Sequence, residues 1–108
     1  MDEQEFARRS DETLSDLQRR LAALSDEHDF EADLNAGALT IEFEDPPAKF
    51  VVSPNSPVRQ VWISAHSRSF KLGWDATKNA FVLPETGETL SQVIAGAIEK
   101  QLGEKVAL

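Results

Sequence analysis

The sequence predicts an α+β fold, a two-layer sandwich in which one antiparallel sheet of about six strands carries an N-terminal and a C-terminal helix on one face. Three observations predict it. Apolar residues recur at helical spacing near both ends of the chain, they alternate with polar residues through the middle, and turn-forming residues divide the middle into short segments. With both helices on one face of the sheet, the other face must meet water.

The first element is a helix predicted from about residue 3 to about residue 24. Asp2 and Glu5 have the three-residue spacing of a capping box. The apolar residues that follow at helical spacing are Phe6, Leu14, Leu17, Leu21 and Leu24. They form one apolar stripe that can face a core.

A change of period to two residues marks the first two strands. Phe30, Ala32 and Leu34 alternate with acidic residues, and after Ala36–Gly37 the apolar members are Leu39, Ile41 and Phe43. This alternation is typical of half-buried strands joined by a short turn.

Prolines and polar residues separate the later strands. Segment 49–53 is predicted as a strand, 54–57 as a turn because proline fixes φ and lacks a donor, and 58–64 as the next strand. Segments 69–74 and 80–83 are two further strand candidates.

The C-terminal helix is predicted to begin at Thr89, because Thr89 and Gln92 again have capping-box spacing. Its apolar face consists of Leu90, Val93, Ile94, Ala97, Ile98 and Leu102. Gly103 is a suitable residue to end it.

Composition limits the function. The 108 residues fit a single domain, 1–108, and contain no cysteine, which excludes disulfides, thiolate nucleophiles and sulfur-ligated metal centres. Neither a Gly-rich phosphate loop nor a recognisable Ser/His/Asp arrangement occurs. The N-terminus is acidic, and no apolar run approaches the ~20 residues that cross a bilayer. We therefore expect a cytoplasmic protein with no catalytic site and no membrane partner.

The net charge of −8 is concentrated in the first part of the chain. Residues 1–45 carry 14 carboxylates against four arginines, a formal −10, whereas the remaining residues carry seven basic and five acidic side chains, a formal +2. Such an acidic half repels phosphate backbones and attracts cations or basic protein surfaces. Nucleic acid is therefore not an expected partner.

Five carboxylates crowd the predicted junction between the first helix and the first strand. They are Asp26, Glu27, Asp29, Glu31 and Asp33. Like charges held close together cost stability, which a bound cation or a basic partner relieves. Oxygen ligands suit hard ions, but the spacing matches no EF-hand loop. The alternative is a solvated acidic face that only aids solubility.

Two further side chains leave alternatives open. Alternation puts Trp62 on the side of its strand opposite Val61 and Ile63, where it either anchors a partner or lies flat over its neighbours. His28 lies within the acidic run and is either a metal ligand or an ordinary exposed histidine.

Three segments resemble the frataxin family in its bacterial type. Segment 57–64, PVRQVWIS, is similar to the family signature P-x-x-Q-[IV]-W-[LI]-[SA]. Segment 35–40 resembles the strand-turn-strand before that signature, and segment 87–90 resembles the entry to the last helix. The similarity covers nearly the whole chain in order.

The resemblance implies an iron-binding regulator of iron-sulfur cluster assembly that docks on the cysteine desulfurase and the scaffold protein through an acidic ridge. Iron, as Fe2+ or Fe3+, would bind weakly to surface carboxylates. The ridge residues that the resemblance implies are Glu12, Asp16, Asp26, Glu27, Asp29, Glu31 and Asp33. The sheet residues implied to contact a partner are Asn55, Gln60 and Trp62.

The resemblance also leaves an alternative, an iron chaperone or iron-storage protein with weak ferroxidase activity. A monomer is expected under either function, with metal-induced oligomers as the other outcome. This chain departs from the family pattern at 18–20, where Gln-Arg-Arg replaces the usual acids, and at Arg68, which would bring a positive charge near the binding face.

Overall fold

The computed structural model describes residues 1–44 and 46–108, and this part of the chain forms one six-stranded antiparallel sheet and two α-helices. The elements are α1 (Glu3–Ser25), β1 (Phe30–Asn35), β2 (Ala38–Glu44), β3 (Pro47–Asn55), β4 (Gln60–Ala65), β5 (Arg68–Asp75), β6 (Ala80–Val82) and α2 (Leu90–Leu102). The strands follow one another in chain order across the sheet. The predicted α+β sandwich is confirmed.

Both helices begin at side chains that replace missing backbone partners. The Glu5 backbone N–H donates to Asp2 Oδ1 at 2.8 Å, and Thr89 and Gln92 form a complete capping box at the start of α2. Gly103 ends α2 with a φ of +73°, a conformation that glycine adopts without a Cβ clash. Within the described residues, no helix is both long enough and apolar enough to cross a membrane.

The core lies between the helices and one face of the sheet. Phe6 of α1 meets Phe81 of β6 edge to face, with ring centroids 5.9 Å apart. The largest fully buried side chains are Phe6, Leu14, Leu17, Leu21, Leu39, Ile41, Phe50, Ile63, Leu72, Phe81, Ile94 and Ile98. They come from α1, five strands and α2, so the alternating strand residues left out of this core form the open face.

Two tight turns set the register of the sheet. Ala36 and Gly37 have φ of 54° and 82°, and His66 and Ser67 have φ of 52° and 61°. A two-residue turn with positive φ at both positions matches the twist of a hairpin. The first turn places Asn35 opposite Ala38, and every later pair of β1 and β2 follows from that closure.

The predicted turn at 54–57 is partly wrong, because β3 continues through Pro54 to Asn55 and places Pro54 opposite Val61. The pairing of β2 with β3 ends at Leu39 and Val52. Pro54 therefore lies where β3 has one strand neighbour, and a strand can accept a proline on an unpaired side. The chain reverses one step later, through a 3₁₀ turn at Ser56–Val58.

The outer edge of β1 is covered by α1. Gln18 Nε2 donates to the Ala32 backbone carbonyl at 3.1 Å. This carbonyl belongs to the first strand of the sheet, whose outer side has no strand neighbour in the part of the chain that the structure describes. The side chain of Gln18 thereby occupies an acceptor that another chain would otherwise pair with.

Candidate functional site

The predicted acidic cluster runs along the edge of the open face. Asp26, Glu27 and Asp29 are exposed in the connection between α1 and β1. Glu31 and Asp33 are exposed on β1, where they alternate with residues of the core. The structure therefore brings these five carboxylates together at one margin of the sheet.

Two further carboxylates of β2 join this margin, and the sequence analysis did not name them. Glu42 lies directly opposite Glu31, and Glu44 is exposed at the end of the same strand. The hairpin turn at 36–37 was the available signal, because counting outward from a two-residue turn pairs residue 31 with residue 42. We call the set Asp26, Glu27, Asp29, Glu31, Asp33, Glu42 and Glu44 the acidic edge.

Three of the five carboxylates of α1 differ from the acidic edge in having arginine partners, whereas Glu3 and Asp11 form no ion pair among the described residues. Glu5 pairs with Arg9 and Glu12 with Arg8, each at 3.6 Å. Asp16 pairs with both Arg19 and Arg20, at 3.0 and 3.1 Å. Among the described residues, no member of the acidic edge takes part in an ion pair. Lys49 of β3 lies directly opposite Glu42 but forms no ion pair with it. The largest group of unpaired carboxylates among the described residues is therefore that of the strands and the α1–β1 connection.

Glu12 and Asp16 lie apart from the acidic edge. Both line a groove between α1 and the start of α2, near Ser91, whose hydroxyl accepts a hydrogen bond from Arg20 at 2.8 Å. Gln18, which reaches β1, is two residues from Asp16 and so points roughly 160° away around the helix. The residues implied as one ridge thus occupy two surfaces.

The acidic edge supplies separate carboxylates and not a closed metal cage. Asp29, Glu31, Glu42 and Glu44 line a shallow cleft of about 370 Å³. Carboxylate oxygens are ligands that suit iron. Within residues 1–44 and 46–108, however, no three His, Cys, Asp or Glu side chains are placed to hold one ion. Any cation would meet exposed oxygens from one or two side chains.

His28 is not an ordinary exposed histidine. Its side chain is only 14 % exposed, and its Nδ1 lies 2.5 Å from Glu104 Oε1 in the C-terminal segment. Its ring also stacks on Phe30, with centroids 6.5 Å apart. The histidine joins the α1–β1 connection to the segment after α2.

The three predicted sheet contacts lie next to one another on the open face. Asn55 of β3 is directly opposite Gln60 of β4, and Trp62 Nε1 donates to Gln60 Oε1 at 3.0 Å. The Trp62 ring is half-buried, and the ammonium of Lys71 lies 4.9 Å from its centroid. Part of the indole covers its neighbours and part remains accessible.

Arg68 lies on the helix side of the sheet and not near Trp62. It pairs with Ala65, whose side chain is buried in the core, and its guanidinium lies 5.1 Å from the Phe70 ring centroid. The expectation that Arg68 adds positive charge to the open face is therefore wrong. The turn at 66–67 decides its side, because it sets the phase of β5.

Comparison with known proteins agrees with this architecture. A family model described as a frataxin-like domain matches residues 1–104. The iron-sulfur cluster assembly protein CyaY of Azotobacter vinelandii is 28% identical over 97 residues, which is 88% of this chain and 87% of that protein. A solved frataxin from Psychromonas ingrahamii superposes with a TM-score of 0.85 at 23% identity, over 98% of this chain and 96% of that one. The chain described here belongs to the frataxin-like family.

Proposed function

We propose that the protein acts in the cytoplasm as a monomeric, non-enzymatic binding protein of iron-sulfur cluster assembly. It docks its acidic edge on a basic surface of the cysteine desulfurase and its open face on the scaffold protein. Support for the process comes from the frataxin-like family and from a relative named as an iron-sulfur cluster assembly protein. The choice of the acidic edge as the docking surface is supported by its concentration of exposed negative charge.

One observation carries the proposal: among the described residues no member of the acidic edge forms an ion pair, whereas Glu5, Glu12 and Asp16 of α1 do. Seven exposed negative groups at one margin set up a local field that speeds encounter with a positive surface. A basic partner also relieves the repulsion between Glu31 and Glu42, which lie directly opposite each other. Docking is thus favoured both by attraction and by removal of an internal cost.

The open face offers a second contact of different chemistry. Trp62 presents an aromatic ring beside the polar side chains of Gln60 and Asn55. An aromatic residue with polar neighbours is a common centre of binding energy in interfaces. In our proposal this patch meets the scaffold protein while the acidic edge meets the desulfurase.

The test compares two triple variants that change the net charge by the same amount. In the first, Glu27→Gln, Asp29→Asn and Glu31→Gln neutralise the acidic edge. In the second, Glu5→Gln, Glu12→Gln and Asp16→Asn neutralise carboxylates that already have arginine partners. Affinity for the purified cysteine desulfurase is measured by calorimetric titration.

We expect the first variant to weaken desulfurase binding by at least about tenfold, a loss of about 1.4 kcal/mol, and the second by much less. Wild-type affinity should also fall as salt rises from about 0.1 M to about 1 M, because the screening length shrinks from ~10 Å to ~3 Å. Equal losses in both triples, or an affinity insensitive to salt, would reject the acidic edge as the docking surface.

A second candidate function is that of an iron carrier with weak ferroxidase activity. It is favoured by the placement of Glu31 opposite Glu42, in a cleft that Glu44 and Asp29 also line. Two carboxylates this close can share one cation and lose their mutual repulsion. Because no closed cage is present among the described residues, such binding would be weak and exposed.

The double variant Glu31→Gln/Glu42→Gln tests the carrier. In an anaerobic calorimetric titration, the heat of Fe2+ binding should disappear in this variant. It should remain in the matched control Glu12→Gln/Asp16→Asn. If wild-type protein oxidises Fe2+ no faster than an unrelated acidic protein at equal concentration, the ferroxidase part of this candidate is rejected.

A further inference from the structure

The far side of the sheet has an edge that is only partly covered. β6 pairs with β5 only at Gly73, Trp74 and Asp75, so within the described residues the first half of β5 has no strand paired with its outer side. The two-residue turn at 66–67 makes Ala65 and Arg68 the closing hydrogen-bonded pair of β4 and β5.

Because hydrogen-bonded and non-bonded pairs alternate along an antiparallel ladder, Ser69 and Lys71 direct their N–H and C=O groups away from β4. Gly73, in the same phase, uses its outer side to pair with Val82. Ser69 and Lys71 are exposed, and among the described residues no backbone hydrogen bond outside the ladders reaches them. The backbone N–H and C=O groups of Ser69 and Lys71 are therefore available to pair with an added strand.

A cleft of about 410 Å³ runs along this half of β5. One wall is Arg68–Lys71 and the other is the segment from Leu83 to Thr86. Phe70 and Leu83 also line a second cleft of about 200 Å³, which continues beneath α2 at Val93 and Gly96. The unpaired edge of β5 in the first cleft is therefore continuous with the second cleft, whose apolar part at Phe70, Leu83, Val93 and Gly96 we call the recess.

This edge differs from the opposite edge of the sheet. On β1 an outward carbonyl is already occupied by Gln18. On β5 the exposed charged side chains of the free edge are the basic Arg68 and Lys71, and the second cleft is lined by both Lys100 and Glu88. Two copies of β5 placed edge to edge would bring four basic side chains close together, which disfavours pairing between copies of this chain.

We propose that the outer edge of β5 binds an extended acidic segment of a partner protein as an added antiparallel strand. The backbone of the segment pairs with Ser69 and Lys71. Carboxylates opposite Arg68 and Lys71 complement their charge, although Glu85 on the far wall limits how much negative charge the cleft accepts. This is strand addition to a free sheet edge, with side chains supplying selectivity.

The position opposite Phe70 on the added strand should be occupied by an apolar residue. Phe70 points to the helix side, since it pairs with the buried Ile63. Its direct neighbour on an added strand would point the same way, toward the recess at Gly96. A Cβ built on Gly96 meets nothing within 4 Å, so the recess has free room. In antiparallel order the preferred segment is acidic, apolar, any residue, acidic.

The probe is the capped peptide acetyl-Thr-Glu-Leu-Thr-Glu-Thr-amide, titrated into the full chain and followed by NMR and amide hydrogen exchange. We expect the Ser69 and Lys71 amides to shift and to become protected. The control peptide with Lys in place of both Glu should bind at least about tenfold more weakly, because it opposes like charges. A third peptide, N-methylated at the first Glu and at the second Thr of the sequence, lacks the donors that would pair with Lys71 and Ser69.

Two variants at one position test the backbone contact. Ser69→Pro removes the outward N–H without removing a bond to β4, and a free edge tolerates proline. Ser69→Ala keeps that N–H. We expect the acidic peptide to lose at least about tenfold in affinity with Ser69→Pro and to be unchanged with Ser69→Ala, in proteins that both retain the wild-type spectrum elsewhere.

Binding of the N-methylated peptide as tightly as the parent, or protection that misses Ser69 and Lys71, overturns the proposal and leaves only charge attraction. Should Ser69→Pro fail to fold, the N-methylated peptide against wild-type protein still decides the question. None of these measurements involves the acidic edge, so their outcome is separate from that of the desulfurase titration.

Discussion

Glu31 of β1 lies directly opposite Glu42 of β2, so two carboxylates project side by side from the open face of the sheet. Like charges in directly opposed positions destabilise a ladder. Neither group forms an ion pair among the described residues, although Lys49 of β3 lies directly opposite Glu42 on its other side. A feature that costs stability in the free protein is one that a positive partner would relieve.

The cost of this pair can be measured. Glu31→Gln should raise the free energy of unfolding by about 0.2–1 kcal/mol at low salt, because it removes one of two opposed charges. Asp33→Asn is the matched control, since Asp33 lies opposite the uncharged Thr40. Urea unfolding at about 0.01 M and about 1 M salt checks both, and the gain should shrink at high salt. Equal gains for the two variants would contradict the pairwise explanation.

Removal of the Gln18 side chain should weaken the protein and uncover a sheet edge. Gln18→Ala leaves the Ala32 carbonyl without its donor, at an expected cost of about 1 kcal/mol. Because an uncovered edge invites pairing with other chains, aggregation during heating should begin earlier. Arg19→Ala is the control, since Arg19 contacts only Asp16 among the salt bridges and hydrogen bonds of the described residues. Light scattering with unfolding curves measures both, and equal behaviour of the two variants would disprove the edge-protecting role.

The contact between His28 and Glu104 should hold the C-terminal segment in place. Glu104→Ala removes the oxygen that lies 2.5 Å from His28 Nδ1, at an expected cost of about 1 kcal/mol. Glu104→Gln keeps an accepting oxygen and should lose less. Amide hydrogen exchange at residues 103–108 should quicken in the alanine variant. Unaltered exchange there would mean that Val106 and Leu108, which pack against the core, suffice to hold the segment.

Two glycines, one inside α2 and one just after its last residue, should respond in opposite directions. Gly96→Ala should stabilise the protein by about 0.5–1 kcal/mol, because Gly96 is in a helix interior and the added Cβ meets nothing within 4 Å. Gly103→Ala should destabilise it by about 1–2 kcal/mol, because its φ of +73° is strained for a side chain. Thermal unfolding of both variants checks the signs, and a loss of stability in Gly96→Ala would contradict the free room in the recess.

The acidic edge shows how much of the candidate site can be predicted from local sequence patterns. Alternation placed Glu31 and Asp33 on the open face, and the hairpin at 36–37 contained enough information to add Glu42. The grouping of Glu12 and Asp16 with these residues did not hold, since they line a different groove beside arginines. The sequence pattern shows how many carboxylates lie along the chain. Whether a carboxylate is neutralised by an arginine depends on side-chain rotamers and on which residues are neighbours around the helix.

The sequence by itself determined the order of helices and strands, the caps at Asp2 and Thr89, and the face of each strand that enters the core, since these depend on residues a few positions apart. Only the tertiary structure decided that β3 passes through Pro54, that His28 contacts Glu104, and that half of β5 lacks a paired strand among the described residues. These outcomes depend on which distant segments meet. Their free energies come from contacts between residues far apart in the chain, which local periodicity does not encode.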